Sequence, residues 1–129
     1  MSSAVFSSIA VGCGAMLGAL SRVGLGLALA SFAAEPWATV IINLVGCFAF
    51  GCARILINQS STAWLLTGPG FLGGFTTFSA FILLLSQPSL SVIAVAFLGT
   101  VLGCPAVLWL GMALAKVIHT RDIEKPVWR

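Results

Sequence analysis

The chain has 129 residues, 60% hydrophobic and only 7% charged, with a formal net charge of +3 and a mean hydropathy of +1.14. A soluble domain of this size needs more polar surface, so the composition excludes one and indicates an integral membrane protein. A spanning helix takes about 20 residues, so residues 1–129 read as one domain of four spans, with little room for a soluble catalytic site.

The first span is predicted over about residues 6–32. It lacks a basic leader and runs past a cleavable length, so it is expected to remain in the mature chain rather than act as a signal peptide. Gly14 and Gly18 form a small-xxx-small pair of the kind that lets helix backbones approach closely in lipid. Arg22 also falls inside this span. An intramembrane arginine is expensive and is expected to face protein or water, either attracting an anion or locking structure. The alternative is a side chain snorkelling to the interface from a long, tilted helix.

Glu35-Pro36 makes a tight connection, and Trp37 opens the second span, about 37–57, at the interfacial level. Asn43 is its one strongly polar interior residue, and Thr39, Asn43 and Cys47 share a face at intervals of four. An asparagine amide offers donors and an acceptor. It is suited both to binding an anion and to joining helices. Arg54 lies near the far end, and Asn58 to Thr62 form a polar turn.

The third span, about 63–85, begins near Trp64 and carries the most unusual stretch, Gly70-Phe71-Leu72-Gly73-Gly74-Phe75-Thr76-Thr77-Phe78-Ser79-Ala80-Phe81, preceded by Gly68-Pro69. Glycine weakens a helix by about 1 kcal/mol per position and proline by about 3 kcal/mol, so a helix break is expected around Gly74, the midpoint of the span. Broken backbone at membrane depth is tolerated only where protein, water or an ion satisfies it. Such breaks build midplane ion and substrate sites. Hydroxyls at Thr76, Thr77 and Ser79 and aromatics at Phe78 and Phe81 follow at once. The two phenylalanines are three apart and so share a helix face.

The fourth span, about 90–115, presents Gly99, Gly103 and Gly111 along one face, which is expected to pack against a neighbour. A polar tail, 116–129, contains the single His119, expected to be solvated. The four cysteines, Cys13, Cys47, Cys52 and Cys104, all lie in apolar runs without a CxxC spacing and read as small packing residues.

No span holds a firmly buried carboxylate, which proton-coupled transporters normally need. Donors without carboxylates suit an anion, and aromatic edges, which carry partial positive charge, fit as well. Four short helices do not enclose a pore alone, so an oligomer is expected, and twofold symmetry is the commonest kind. If two copies sit antiparallel, their breaks meet on the axis. Carbonyls freed by the glycines then converge and need a small hard cation such as Na⁺.

Three stretches make the pattern specific: Gly18-Ala19-Leu20-Ser21-Arg22, Asn43-Leu44-Val45-Gly46-Cys47-Phe48, and the run Gly70 to Phe81 quoted above. With them the chain resembles the fluoride channels of the Fluc (CrcB) family over its whole length. The resemblance implies an all-α membrane protein of four helices, with a mid-membrane break in the third, assembled as an antiparallel dual-topology dimer in the bacterial plasma or inner membrane. It implies a passive channel that exports cytoplasmic fluoride, not an enzyme, and no nucleic-acid partner. Carried over by residue, Phe78 and Phe81 are the paired pore phenylalanines and Asn43 the pore asparagine. Arg22 lies near the wide entrance, and Thr77 and Ser79 add hydroxyls to the fluoride pathway. Gly73 and Thr76 offer backbone carbonyls to a structural Na⁺ that is not transported.

The chain departs from that family in two ways. It has no tyrosine, and its fourth span offers only Thr100 and Cys104 where the family often has a hydroxyl track, so Ser79 or water is expected to serve the exit half. Its basic residues, Arg54, Lys116, Arg121, Lys125 and Arg129, also gather on the side of the termini. That bias favours cytoplasmic termini and raises a heterodimer with an oppositely oriented relative as the alternative to a homodimer. Two other readings compete. A small four-span multidrug exporter would need an acidic residue in the first span, which is absent. A non-transporting membrane subunit would leave the Thr-Thr-Phe-Ser run without a cause.

Overall fold

Apolar runs long enough to cross a bilayer must satisfy every backbone N–H and C=O internally, and a helix does this within one segment. The computed structural model describes residues 3–33 and 35–123 and contains no strand among them. Helix α1 covers Ser3–Leu29 and α2 covers Glu35–Leu56. Residues 62–75 form α3, Phe78–Leu85 form α4, and residues 90–123 form α5. Four stretches are long and apolar enough to span a membrane: Ala4–Leu29, Trp37–Leu56, Thr62–Leu85 and Leu90–Thr120. The protein is therefore a multi-pass membrane protein. Helix α1 stops at Leu29, short of the expected Phe32, where the chain turns and Ala33 N–H donates to the Leu29 carbonyl at 2.8 Å. At the other end α5 continues past residue 115 to Ile123; Lys125 and Arg129 lie outside the described residues.

Local chemistry sets the connections. Asn58 Oδ1 accepts from the Ser60 N–H at 3.0 Å, an Asx-type turn. Ser61 then caps α3 by accepting from the Trp64 N–H at 3.1 Å. Two prolines widen the helices they sit in. Pro69 and Pro105 have no N–H to return to the carbonyl four residues back, and the chain responds with π-helical turns at Leu66–Leu72 and Leu98–Gly103. In the first of these, Gly73 N–H reaches the Gly68 carbonyl, five residues back.

Two parallel helix pairs carry the packing. In α1 and α3 the contacts rise in step along both helices. A Cβ on Gly14 would land on the Leu66 carbonyl oxygen, and one on Gly18 on that of Phe71. The backbones therefore touch where only glycine fits, and the small-xxx-small pair has α3 as its partner. Helices α2 and α5 meet in the same way. Gly99 faces Val40, Gly103 faces Leu44, and Gly111 faces the Phe48 carbonyl, so the expected neighbour of the glycine face is α2. Helix α4 is held against the start of α5 by a small core of Phe81, Leu84 and Ala96, flanked by Leu85 and Val92.

Gly18→Val tests this packing. Overfilling a tight contact destabilises by about 1–3 kcal/mol. The variant is expected to lose monodispersity in detergent at a lower temperature than the wild type. Gly12→Val, at a position with nothing within 4 Å, is the control and is expected to behave as wild type. Equal behaviour of the two variants would remove Gly18 from the account of the fold.

Candidate ion pathway

The third span does break, but not at its glycines. Gly73 is right-handed helical at φ −65°, ψ −36°, and no described glycine has a positive φ. The backbone leaves the helix instead at Thr76 (φ −77°, ψ 157°) and Thr77 (φ −142°, ψ 124°), both extended. The expectation of a break around Gly74, with carbonyls freed by glycine, is thus corrected by a few residues. Gly70 and Gly74 are used for closeness rather than for freedom. A Cβ on Gly74 would collide with the Ala15 carbonyl of α1, so the residue admits a neighbouring backbone while staying helical.

Asn43 holds the break open. Its Nδ2 donates to the Thr77 carbonyl at 3.0 Å, and the Thr77 N–H donates to Asn43 Oδ1 at 2.8 Å. One side chain thereby satisfies both backbone groups of one extended residue. Asn43 is only 3% exposed, where an unsatisfied polar group is expensive, so the two-point clasp settles its place in the fold. The amide has two N–H groups; one is committed to Thr77, and the other makes no hydrogen bond among the described residues.

Thr77 then starts α4. Its Oγ1 accepts from the Ala80 N–H at 3.3 Å, an N-cap, and lies 3.2 Å from Ser79 Oγ. The two hydroxyls and the clasped amide gather at one point of the chain. Phe78 and Phe81 follow on the first turn of α4, with ring centroids 5.4 Å apart and planes tilted by 49°. Their surroundings differ sharply. Phe81 is 4% exposed and sits in the α4–α5 core, whereas Phe78 is 69% exposed on the single chain.

Arg22 reaches the same region from α1. It lines a cavity of about 520 Å³ together with Thr39, Ile42, Thr77 and Ala80. Its Nε is buried without a hydrogen-bond partner among the described residues. A buried guanidinium N–H left without an acceptor favours an anion in the space beside it. Thr77 thus joins two groups of residues: it lines the Arg22 cavity on one side and begins the hydroxyl and phenylalanine cluster on the other.

Gly73 and Thr76 share a different property. In an unbroken helix the Gly73 carbonyl would accept from the Thr77 N–H, and the Thr76 carbonyl from the Ala80 N–H. Both donors are diverted, the first to Asn43 and the second to Thr77 Oγ1. Each carbonyl so loses the helical partner it would otherwise have, and Gly73 is exposed. Thr76 spends its own hydroxyl locally, donating to the Leu72 carbonyl at 3.1 Å.

Comparison with known proteins adds the family. The family described as CrcB-like protein, Camphor Resistance (CrcB), matches residues 9–112. The chain belongs to this family. It is similar to the fluoride-specific ion channel FluC of Prosthecochloris aestuarii, 39% identical over 116 residues, which cover 83% of this chain and 91% of that one. It is similar also to the protein of the same name from Gloeobacter violaceus, 35% identical over 88% of this chain and 99% of that one. A third relative of that name, from Dichelobacter nodosus, is 38% identical over 84% of this chain and 98% of its own. The relatives are named as ion channels, a family of channels rather than enzymes, as the resemblance implied.

Sequence reasoning overlooked two features of the site. Thr39 was legible only as a neighbour of Asn43 on one helix face, yet it lines the Arg22 cavity. The backbone of Thr77 carries no side-chain signal at all. The cue available was a lone buried asparagine opposite a span with a Thr-Thr step, a pairing visible once α2 is laid against the break.

Proposed function

We propose that this chain is a passive, fluoride-selective channel that lets cytoplasmic fluoride leave the cell and so relieves its toxicity. It works as an antiparallel, dual-topology homodimer in the bacterial plasma or inner membrane, with the α3–α4 break near mid-membrane. The observation that carries this reading is the Asn43–Thr77 clasp. It holds a helix break open beside hydroxyls, a phenylalanine pair and an arginine whose buried Nε has no partner among the described residues, in a chain whose relatives are named fluoride-specific ion channels.

Each residue then has a defined task. Arg22 draws the anion into the cavity by its positive charge. The spare Asn43 N–H and the Thr77 and Ser79 hydroxyls replace part of the strongly bound water that a small anion must shed. Phe78 and Phe81 offer positive ring edges and define a passage too narrow for chloride. Phe78, exposed on one chain, is covered when a second copy is present.

The Gly73 and Thr76 carbonyls suit a structural Na⁺ where two copies meet, because hard oxygen donors deprived of their amides match a small hard cation. Bound there, such an ion would offset the partial negative charge of the carbonyls that Gly73 and Thr76 present, and it would not be transported. Gly73→Val tests this site. A Cβ there has only the Gly68 carbonyl at 3.9 Å, so the single chain accommodates the change. The variant is expected to fold while losing the extra thermal stability that Na⁺ gives the wild type over a large organic cation. Unchanged Na⁺ dependence would count against the site. The export reading is tested in cells that lack their own fluoride exporter. Expressing this chain is expected to restore growth on fluoride medium, and growth no better than the empty vector would argue against it.

A further inference from the structure

Two thiols outside the ion pathway meet where α2 packs on α5. The contact at which a Cβ on Gly51 would meet the Leu108 carbonyl sets a register that brings Cys47 and Cys104 to the same level of the two helices. Cys47 stands one turn before Gly51 and Cys104 one turn before Leu108, so the two thiols lie on the facing sides of the pair. Cys104 is buried and Cys47 half-buried. The other cysteines are placed differently: Cys13 is exposed on α1, and Cys52 donates to the Gly111 carbonyl at 3.5 Å.

Two sulfur donors that face each other among apolar neighbours have a defined metal chemistry. No group of three His, Cys, Asp or Glu is assembled among the described residues, so the four-ligand site that zinc takes is not built here. Thiolates select soft cations, and a d10 ion that accepts two ligands in line is complete with two sulfurs. We propose that Cys47 and Cys104 form a two-thiol site for a soft, linearly coordinating cation of the copper(I), silver(I) or mercury(II) class. Each thiol gives up its proton and forms one metal–sulfur bond, so a divalent ion such as Hg²⁺ replaces two protons, with no change of oxidation state. The site lies one helical turn from Asn43. An ion there spreads the α2–α5 contact next to the clasp, and so the site is one at which soft metals inhibit the channel. That last consequence rests on the proposed function, whereas the binding does not.

The test therefore reads binding. The full chain carrying Cys13→Ser and Cys52→Ser is purified in detergent and mixed with mercuric chloride. Its intact mass is then measured, with size-exclusion elution as the check on folding. The expected product is a single chain carrying one mercury and lacking two protons. Adding Cys47→Ser or Cys104→Ser is expected to abolish that species. Two mercury ions per chain, one on each thiol, would overturn the proposal. So would mercury joining two chains, or no mercury retained by a protein that elutes as wild type.

Discussion

Replacing Phe81 with isoleucine is expected to abolish fluoride flux from liposomes holding the purified variant, while the protein still assembles. The substitution removes an aromatic edge and keeps an apolar side chain of moderate size. Phe81 is nine-tenths and more buried against Leu84 and Ala96, so some loss of stability accompanies it, and thermal unfolding must be recorded alongside flux. Phe78→Ile separates the two effects. That ring is 69% exposed on the single chain, so its loss costs the chain's own packing little. A drop in flux of at least about tenfold, equivalent to roughly 1.4 kcal/mol on the barrier, is expected with little change in the chain's own stability. If both variants conduct as wild type, the phenylalanine pair has no part in conduction.

Asn43→Leu is expected to act on both fold and flux. It leaves the Thr77 N–H and C=O without their partner, and each buried unsatisfied group costs about 1–3 kcal/mol. The break then has no reason to stay open, and either α3 and α4 rearrange or the protein becomes unstable. Asn43→Asp discriminates further. A carboxylate still accepts from the Thr77 N–H but donates nothing to its carbonyl, and its negative charge repels an anion. Buried against the Thr77 carbonyl, the charged form is costly, so stability and flux are both expected to fall, and stability to recover in part at low pH, where the protonated carboxyl donates to that carbonyl. Wild-type stability and flux in Asn43→Leu would mean that the clasp is dispensable.

Much of this architecture was legible in the sequence because lipid leaves few options. Four apolar runs had to be helices, and Gly14, Gly18, Gly99, Gly103 and Gly111 marked the faces that touch. The position of the break was misread because propensities measured in water treat glycine as a breaker, whereas here Gly74 and its neighbours stay helical and admit another backbone. Proline was misread in a similar way, since Pro69 widens a turn to π geometry rather than ending the helix. The pairing of Asn43 with the Thr77 backbone depends on how α2 lies against α3, a tertiary fact with no periodicity to announce it. The juxtaposition of Cys47 and Cys104 arises in the same way, because each alone looks like packing.

The central claim is that this chain alone makes a fluoride-selective passage. Fluoride efflux from liposomes containing the purified protein, with chloride efflux measured in the same vesicles, tests it most directly. Rapid fluoride release with chloride retained is the predicted result, and it would also establish a competent homodimer. No fluoride release, or release of both ions alike, from protein that elutes as an assembled dimer would contradict the account.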